Sequence, residues 1–231
     1  MNQKIQRIIE NSVLKAKKQK KEYLLFGRIM IFIQEPLISD LVNFEQVIDV
    51  IENYIPSHLF DDVDLIYIGQ FQSLIDRDLE AQYEDGAIFV SNALSDNQDY
   101  VESIVHEMIH SLEGSFGLQI YGDGKIEREF LGKRERLFHR IKSKGYDTEE
   151  IDYLNSEYQL GLDEFLYREI GYENLNYLIS GLFLNPYAVT SLREYLASGM
   201  EKYLLSEEDR IYLKNLSPAL VVKIEELLNG Y

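Results

Sequence analysis

Cysteine is absent from this sequence of 231 residues. The absence excludes disulfide bonds, cysteine-ligated zinc or iron–sulfur centres, and catalysis by a thiol. It is typical of proteins from reducing compartments. Apolar residues make up 45% of the sequence, enough for a sizeable hydrophobic core, so we expect a folded globular chain.

Long apolar segments are also missing, so the sequence predicts no membrane span. The nearest approach is residues 23–33, which follow a lysine-rich run and superficially resemble a signal peptide. Arg28 interrupts this stretch, and no small-residue cleavage site follows it. We therefore expect a core strand at this position and a cytoplasmic protein.

Positive charge is scarce, since 23 lysines and arginines are set against 40 aspartates and glutamates and the formal net charge is -17. Such a surface repels phosphate backbones and disfavours nucleic-acid binding. A positively charged peptide or protein partner would be attracted, although the charge could equally serve only to keep the protein in solution. The oligomeric state stays open.

The spacing of apolar residues is mixed in the first half of the chain and helical in the second. A basic amphipathic helix is predicted over residues 2–22, and strands are predicted over residues 24–34, 64–69 and 87–90. A helix at 43–54 follows the first strand. Another begins near Asp99 and ends at Gly114, and further helices are predicted at 124–144, 149–158, 160–182, 190–204, 207–214 and 217–229.

This layout predicts an α+β fold with a small mixed sheet, a buried metal-motif helix and a mainly helical C-terminal lobe. We expect one domain over residues 1–231. Within it, residues 1–60 form an N-terminal helical and strand extension. Residues 61–118 contain the sheet and the metal-motif helix, and residues 119–231 form the helical lobe.

The metal motif is His-Glu-Met-Ile-His at residues 106–110. On a helix, His106 and His110 lie one turn apart on the same face, so both imidazoles can reach one metal ion. Glu107 points about 100 degrees away around the axis, beside the metal, where it can take a proton from water. Burying these groups without partners would be costly, and a metal ion resolves that cost. Ordinary hydrogen bonds among them are the alternative explanation.

A hydrolytic zinc site needs a third protein ligand and an open fourth position. His58 lies in a predicted loop and His139 on a separate charged helix, so a carboxylate from a second helix is required. The candidates are Glu164, Glu169, Glu194 and Glu201.

Glu194 has the most suggestive surroundings among these candidates. Its neighbours are apolar, and the small residues at 197–199 would let its helix approach the metal-motif helix closely. Alternatively, Glu194 is a solvated carboxylate that pairs with Arg193 or Lys202. Glu113, three residues after His110, could accept a hydrogen bond from an imidazole or lie in solvent.

A second pattern, Tyr-x6-Glu followed by an aromatic residue and Ala, spans residues 187–197. With the metal motif, it resembles the anthrax lethal factor group of zinc peptidases, which includes the Pro-Pro endopeptidases. The likeness covers roughly residues 60–230. It implies a gluzincin-like fold with one zinc ion held by His106, His110 and Glu194, and a hydrogen bond from Tyr187 to the oxyanion of the tetrahedral intermediate.

The resemblance also implies that residues 86–91 form an edge strand that pairs with substrate backbone. Two departures from the family pattern bear on the substrate. The stretch between the two patterns is longer than the family usually carries, which suggests an inserted helical hairpin around residues 147–180. Ser198 stands where an acidic residue is common.

The expected function is therefore a zinc-dependent endopeptidase with a peptide or protein substrate, a metal-activated water and Glu107 as general base. The alternative is a catalytically silent protein that keeps this fold for binding or structure. Glu107 and Tyr187 argue against it, because chemistry needs them and ligation does not. A phage- or toxin-related effector acting on a host protein is a further alternative, which the absence of a clear export signal disfavours.

Overall fold

The computed structural model describes residues 21–230. Of the helix predicted over residues 2–22, residues 2–20 lie outside the described part. Its last two residues are not helical, since Glu22 begins the first strand. The chain divides into two compact units, of which the first comprises Met1–Glu52 and Val63–Ile104. The second comprises Asn53–Asp62 and Val105–Tyr231.

The first unit contains a mixed sheet with five strands among the described residues. The strands are β1 (Glu22–Leu25), β2 (Ile29–Ile33), β3 (Leu65–Gly69), β4 (Ala81–Glu84) and β5 (Ala87–Ser91). Their spatial order is β1-β2-β3-β5-β4. The central pairs β2–β3 and β3–β5 are parallel, and the outer pairs β1–β2 and β4–β5 are antiparallel.

Alternation of side chains places one face of this sheet in the core. Ile31, Ile66 and Ile88 are in register across the three central strands, and all three are fully buried. This face packs with helix α1 (Phe44–Tyr54) and the first turns of helix α3 (Asn97–Tyr121), where the rings of Phe44 and Tyr100 meet edge to face. Helix α2 (Gln72–Arg77) connects β3 to β4.

Two predictions for this unit need correction, and one strand is missing from the predictions. The strand predicted at 24–34 is a hairpin of β1 and β2, because Phe26 and Gly27 take left-handed backbone conformations that reverse the chain. Strand β4 was not predicted at all. The predicted edge strand at 86–91 is wrong, because β5 lies between β3 and β4 and both of its edges are paired.

The second unit is mainly helical. Its elements are the end of α3, α4 (Lys125–Ser143), α5 (Leu160–Glu164), a π-helical segment (Phe165–Ile170), α6 (Tyr172–Ile179), α7 (Leu192–Leu205), α8 (Glu207–Leu216), α9 (Pro218–Asn229) and two short 3-10 turns (Ser57–Leu59 and Tyr187–Val189). The small mixed sheet and the mostly helical C-terminal region confirm the predicted α+β class.

Some helix boundaries in this unit differ from the predictions. Helix α3 continues past Gly114 to Tyr121, because a glycine whose backbone stays helical does not end a helix. Residues 149–158 form turns and no helix. The helix predicted at 160–182 is interrupted at Gly171, whose φ of 76 degrees lies in the left-handed region. Among the described residues, no helix combines the length and the apolar character that crossing a bilayer requires.

A buried polar network fixes helix α7 against α4 and α9. The ammonium group of Lys133, a residue only 2% exposed, donates hydrogen bonds to the Tyr195 hydroxyl and the Ser217 hydroxyl, each at 2.6 Å. Tyr195 in turn donates to Glu129 at 2.8 Å. The same carboxylate accepts the amides of Ala219 and Leu220, so it satisfies the first turn of α9.

Close packing adds to this network at Gly199 on α7. A Cβ atom at this position would collide with the Leu220 side chain on α9. The small residue predicted to let α7 approach the metal-motif helix therefore permits its contact with α9. Together, the network and this contact define where α7 lies in the second unit.

Lys133 predicts a pH dependence of stability. Burial lowers its pKa to about 8, against 10.5 for a free lysine. The unfolded chain therefore holds this proton more tightly between pH 8 and 10.5, and stability should rise with pH in that window. The Lys133→Met variant should lose this rise, which amounts to about 3 kcal/mol.

The measurement is denaturant-induced unfolding of the wild type and the variant at several pH values from 7 to 11. The matched control is Lys142→Met, which removes an exposed lysine from the same helix. If the unfolding free energies of wild type and Lys133→Met run parallel over this range, the proposed cost of the buried charge is wrong.

Candidate metal centre

Helix α3 presents the two histidines of the motif on one face, as the spacing predicts. The ring centroids of His106 and His110 lie 5.0 Å apart at an interplanar angle of 76 degrees. Both side chains are largely buried, with exposed fractions of 14% and 10%. Two imidazoles are thus held in a poorly hydrated environment by a helix that is itself buried on its apolar faces.

Helix α7 brings Glu194 onto both imidazoles. One carboxylate oxygen lies 3.0 Å from Nε2 of His106, and the other lies 3.3 Å from Nε2 of His110. The alternative considered for Glu194, pairing with Arg193 or Lys202, is not found in the structure. Arg193 pairs with Glu113, and Lys202 pairs with Glu201.

The N-terminal cap of α7 fixes the backbone of Glu194 but not the direction of its side chain. Ser191 caps the helix, and its hydroxyl accepts the Glu194 amide at 3.2 Å. In a Ser-x-x-Glu capping box, the glutamate side chain usually turns back to the amide of the capping residue. Here the carboxylate instead points to the two imidazoles, so tertiary contacts override the local preference.

Glu201 is the second carboxylate of α7 at this site. Its Oε2 lies 3.0 Å from Nδ1 of His106, and the residue is 7% exposed. From the sequence, Glu201 is only one of the candidates for the third metal ligand. The structure instead pairs it with the ring nitrogen that Glu194 does not contact. Its position seven residues after Glu194, on the same helix face, was the available signal.

Glu107 lies beside the histidines, as its position on the helix predicts. Ligand atoms of His106, Glu107 and His110 all lie within 4.8 Å of one another, and this group could hold a metal ion. Glu194 is closer still to both imidazoles. We therefore assign the contact with the two Nε2 atoms to Glu194 and place Glu107 next to it.

The charges of this cluster are strongly coupled. Burial lowers the pKa of His106, but the carboxylates of Glu194 and Glu201 outweigh burial and raise it to about 10. Burial raises the pKa of Glu194, while hydrogen bonds from the two histidines lower it to about 2. A carboxylate that stays ionised beside imidazole nitrogens is suited to bind a cation.

Tyr187 lies at the same site, on the 3-10 turn that precedes α7. Its ring centroid is 6.1 Å from that of His106, and its side chain is 40% exposed. Asn185 fixes this turn by accepting the Ala188 amide at 2.8 Å. Partial burial, followed by the charges of Glu194 and Glu107, raises the pKa of the Tyr187 phenol, so it keeps its proton and can donate a hydrogen bond.

Other residues considered from the sequence lie elsewhere or bond differently. Glu164 pairs with Arg168, and Glu169, His58 and His139 are exposed.

Glu113 accepts the Tyr121 hydroxyl and pairs with Arg193, each at 2.6 Å. Both of its carboxylate oxygens are thus engaged away from the imidazoles, and the pair joins α3 to α7 next to the cluster.

Comparisons with protein-family models, with curated proteins and with solved structures find no match to this chain.

We predict that the purified chain binds about one divalent metal ion and that His106→Ala lowers this stoichiometry to near zero. The reason is that only one imidazole and the carboxylates remain to bind the ion once His106 is removed. Elemental analysis after dialysis measures the bound metal. His139→Ala is the matched control, since it removes an exposed histidine, and it should retain the metal. Equal metal content in both variants would contradict this assignment.

Proposed function

We propose that this chain is a zinc-dependent endopeptidase of the gluzincin type, related to the anthrax lethal factor group. The observation that carries the proposal is the contact of Glu194 with both imidazoles of the His-Glu-x-x-His motif. The contact supports Glu194, 84 positions after the second histidine, as the third ligand.

The donor set fits zinc. Two imidazoles and one glutamate are the ligands of a well-known type of catalytic zinc site. Ligand atoms around a tetrahedral zinc ion lie roughly 3.3 Å apart, given zinc–ligand bonds of about 2 Å. Each Nε2 atom has one oxygen of Glu194 at a distance close to this spacing, Oε2 at 3.0 Å for His106 and Oε1 at 3.3 Å for His110. Zinc, when bound, supplies a Lewis acid that lowers the pKa of water and polarises a peptide carbonyl.

Glu107 is the residue we assign as general base. It follows His106 directly, so the helix holds its carboxylate beside the ligands, within 4.8 Å of their nitrogens. From there it takes a proton from the attacking water and passes it to the leaving amine. Both carboxylate oxygens of Glu194 contact imidazole nitrogens. We therefore assign proton transfer to Glu107.

Tyr187 is the residue we assign to the oxyanion. A neutral phenol near His106 can donate a hydrogen bond to the negative charge that develops on the scissile carbonyl oxygen. The raised pKa of Tyr187 keeps the phenol protonated at neutral pH. The Tyr187 residue is 40% exposed, which is compatible with contact to a substrate.

The first test replaces Glu107 with Gln. The variant should bind zinc as the wild type does but lose cleavage of a broad peptide library, because the amide cannot accept the proton. Peptide products are measured by mass spectrometry, and Glu135→Gln, an exposed change on α4, serves as the control. If the zinc-loaded wild type cleaves no peptide, a binding or structural function replaces the proposed one.

The second test is Tyr187→Phe. Loss of one oxyanion donor should lower kcat about 100-fold with little change in zinc content. Tyr177→Phe removes a hydroxyl from a tyrosine that is 73% exposed and should leave kcat unchanged. Equal kcat values for the two variants would remove Tyr187 from the mechanism.

A further inference from the structure

Glu201 is a buried carboxylate that the proposed reaction does not use. Its Oε2 accepts a hydrogen bond at 3.0 Å from Nδ1 of His106, while Oε1 pairs with the Lys202 ammonium at 3.0 Å. The residue is only 7% exposed. A carboxylate is rarely buried to this extent unless its contacts compensate for the lost hydration.

The helix geometry of α7 explains how two of its glutamates reach one ring. Seven residues correspond to 700 degrees of rotation, about 20 degrees short of two full turns, and to a rise of about 10.5 Å. Glu194 and Glu201 therefore lie in one stripe along the helix. The two carboxylates reach opposite nitrogens of the His106 ring, Nε2 and Nδ1 respectively.

We propose that Glu201 is a positioning residue that selects the tautomer of His106. A carboxylate can only accept, so the neutral ring must carry its proton on Nδ1 to bond with it. In this structure the ring also donates from Nε2, because Glu194 lies 3.0 Å from that nitrogen. Replacement of the Nε2 proton by a bound metal ion would place the lone pair there, since Glu201 retains the other proton on Nδ1. This inference rests on the proposed metal centre, because its consequence is a preorganised nitrogen ligand.

Negative charge at Glu201 has a second consequence. A carboxylate that accepts from Nδ1 makes the opposite nitrogen a stronger donor and restrains rotation of the ring. His110 has no such partner on Nδ1 among the hydrogen bonds found in the described residues. The two histidines of the motif thus differ, and His106 is the one oriented from both sides.

The variant that separates charge from shape is Glu201→Gln. Glutamine keeps the size and one acceptor, but its NH₂ group can also bond the opposite tautomer, so the selection is lost. We expect zinc affinity, measured by chelator competition at pH 7.5, to fall roughly 10- to 100-fold. Glu208→Gln, an exposed change of equal charge on α8, should leave the affinity within twofold of the wild type.

Two further readouts keep the test independent of activity and of folding defects in the variant. In the zinc-loaded wild type, the 15N chemical shifts of His106 should show a proton on Nδ1 and a metal on Nε2. In the cobalt-substituted protein, Glu201→Gln should shift the visible absorption bands, while Glu208→Gln should not.

The outcomes distinguish this inference from the proposed function. Wild-type zinc affinity in Glu201→Gln, or a proton on Nε2 of His106 in the zinc-loaded wild type, overturns the positioning assignment and leaves the peptidase proposal intact. A wild-type chain that binds no zinc overturns both. If the chain binds zinc with the expected tautomer but cleaves no peptide, the positioning role of Glu201 stands and the peptidase proposal is wrong.

Discussion

The contact between the Glu194 carboxylate and the two imidazoles of helix α3 is the interaction on which the site depends. It joins His106 and Glu194, which are 88 positions apart in the chain, at 3.0 Å. Without it, the motif is a pair of histidines on a buried helix. With it, three donor groups converge from two helices, and the surrounding carboxylates make the cluster suited to a cation.

Rigid elements hold these donors. Both histidines and Glu107 lie within α3, and Glu194 and Glu201 lie within α7, so backbone hydrogen bonds of helices position all five residues. The location of α7 depends in turn on contacts away from the site, especially the Lys133–Tyr195–Glu129 network and the packing at Gly199. Side chains on helices supported in this way keep their relative positions more precisely than side chains on loops.

Burial of charge is the energetic cost of this arrangement. The second unit buries Lys133 and Glu201, and it brings Glu107, Glu194 and Glu201 around two imidazoles. Lys133, Glu194 and Glu201 are each compensated by specific partners, since isolated buried charges are strongly unfavourable. The same compensation explains why His106 and Glu194 have pKa values far from those of free side chains.

The amino-acid sequence is sufficient to predict the α+β class, the metal motif and most helix positions, because these follow from local spacing and composition. It also contains a signal for strand β4. Asp85–Gly86 is a typical two-residue hairpin turn, and it joins β4 to β5. Packing between distant elements makes β5 an interior strand and pairs Glu113 with Arg193. It also decided which nitrogen of His106 each glutamate contacts, since these outcomes depend on how distant elements pack and on no local pattern.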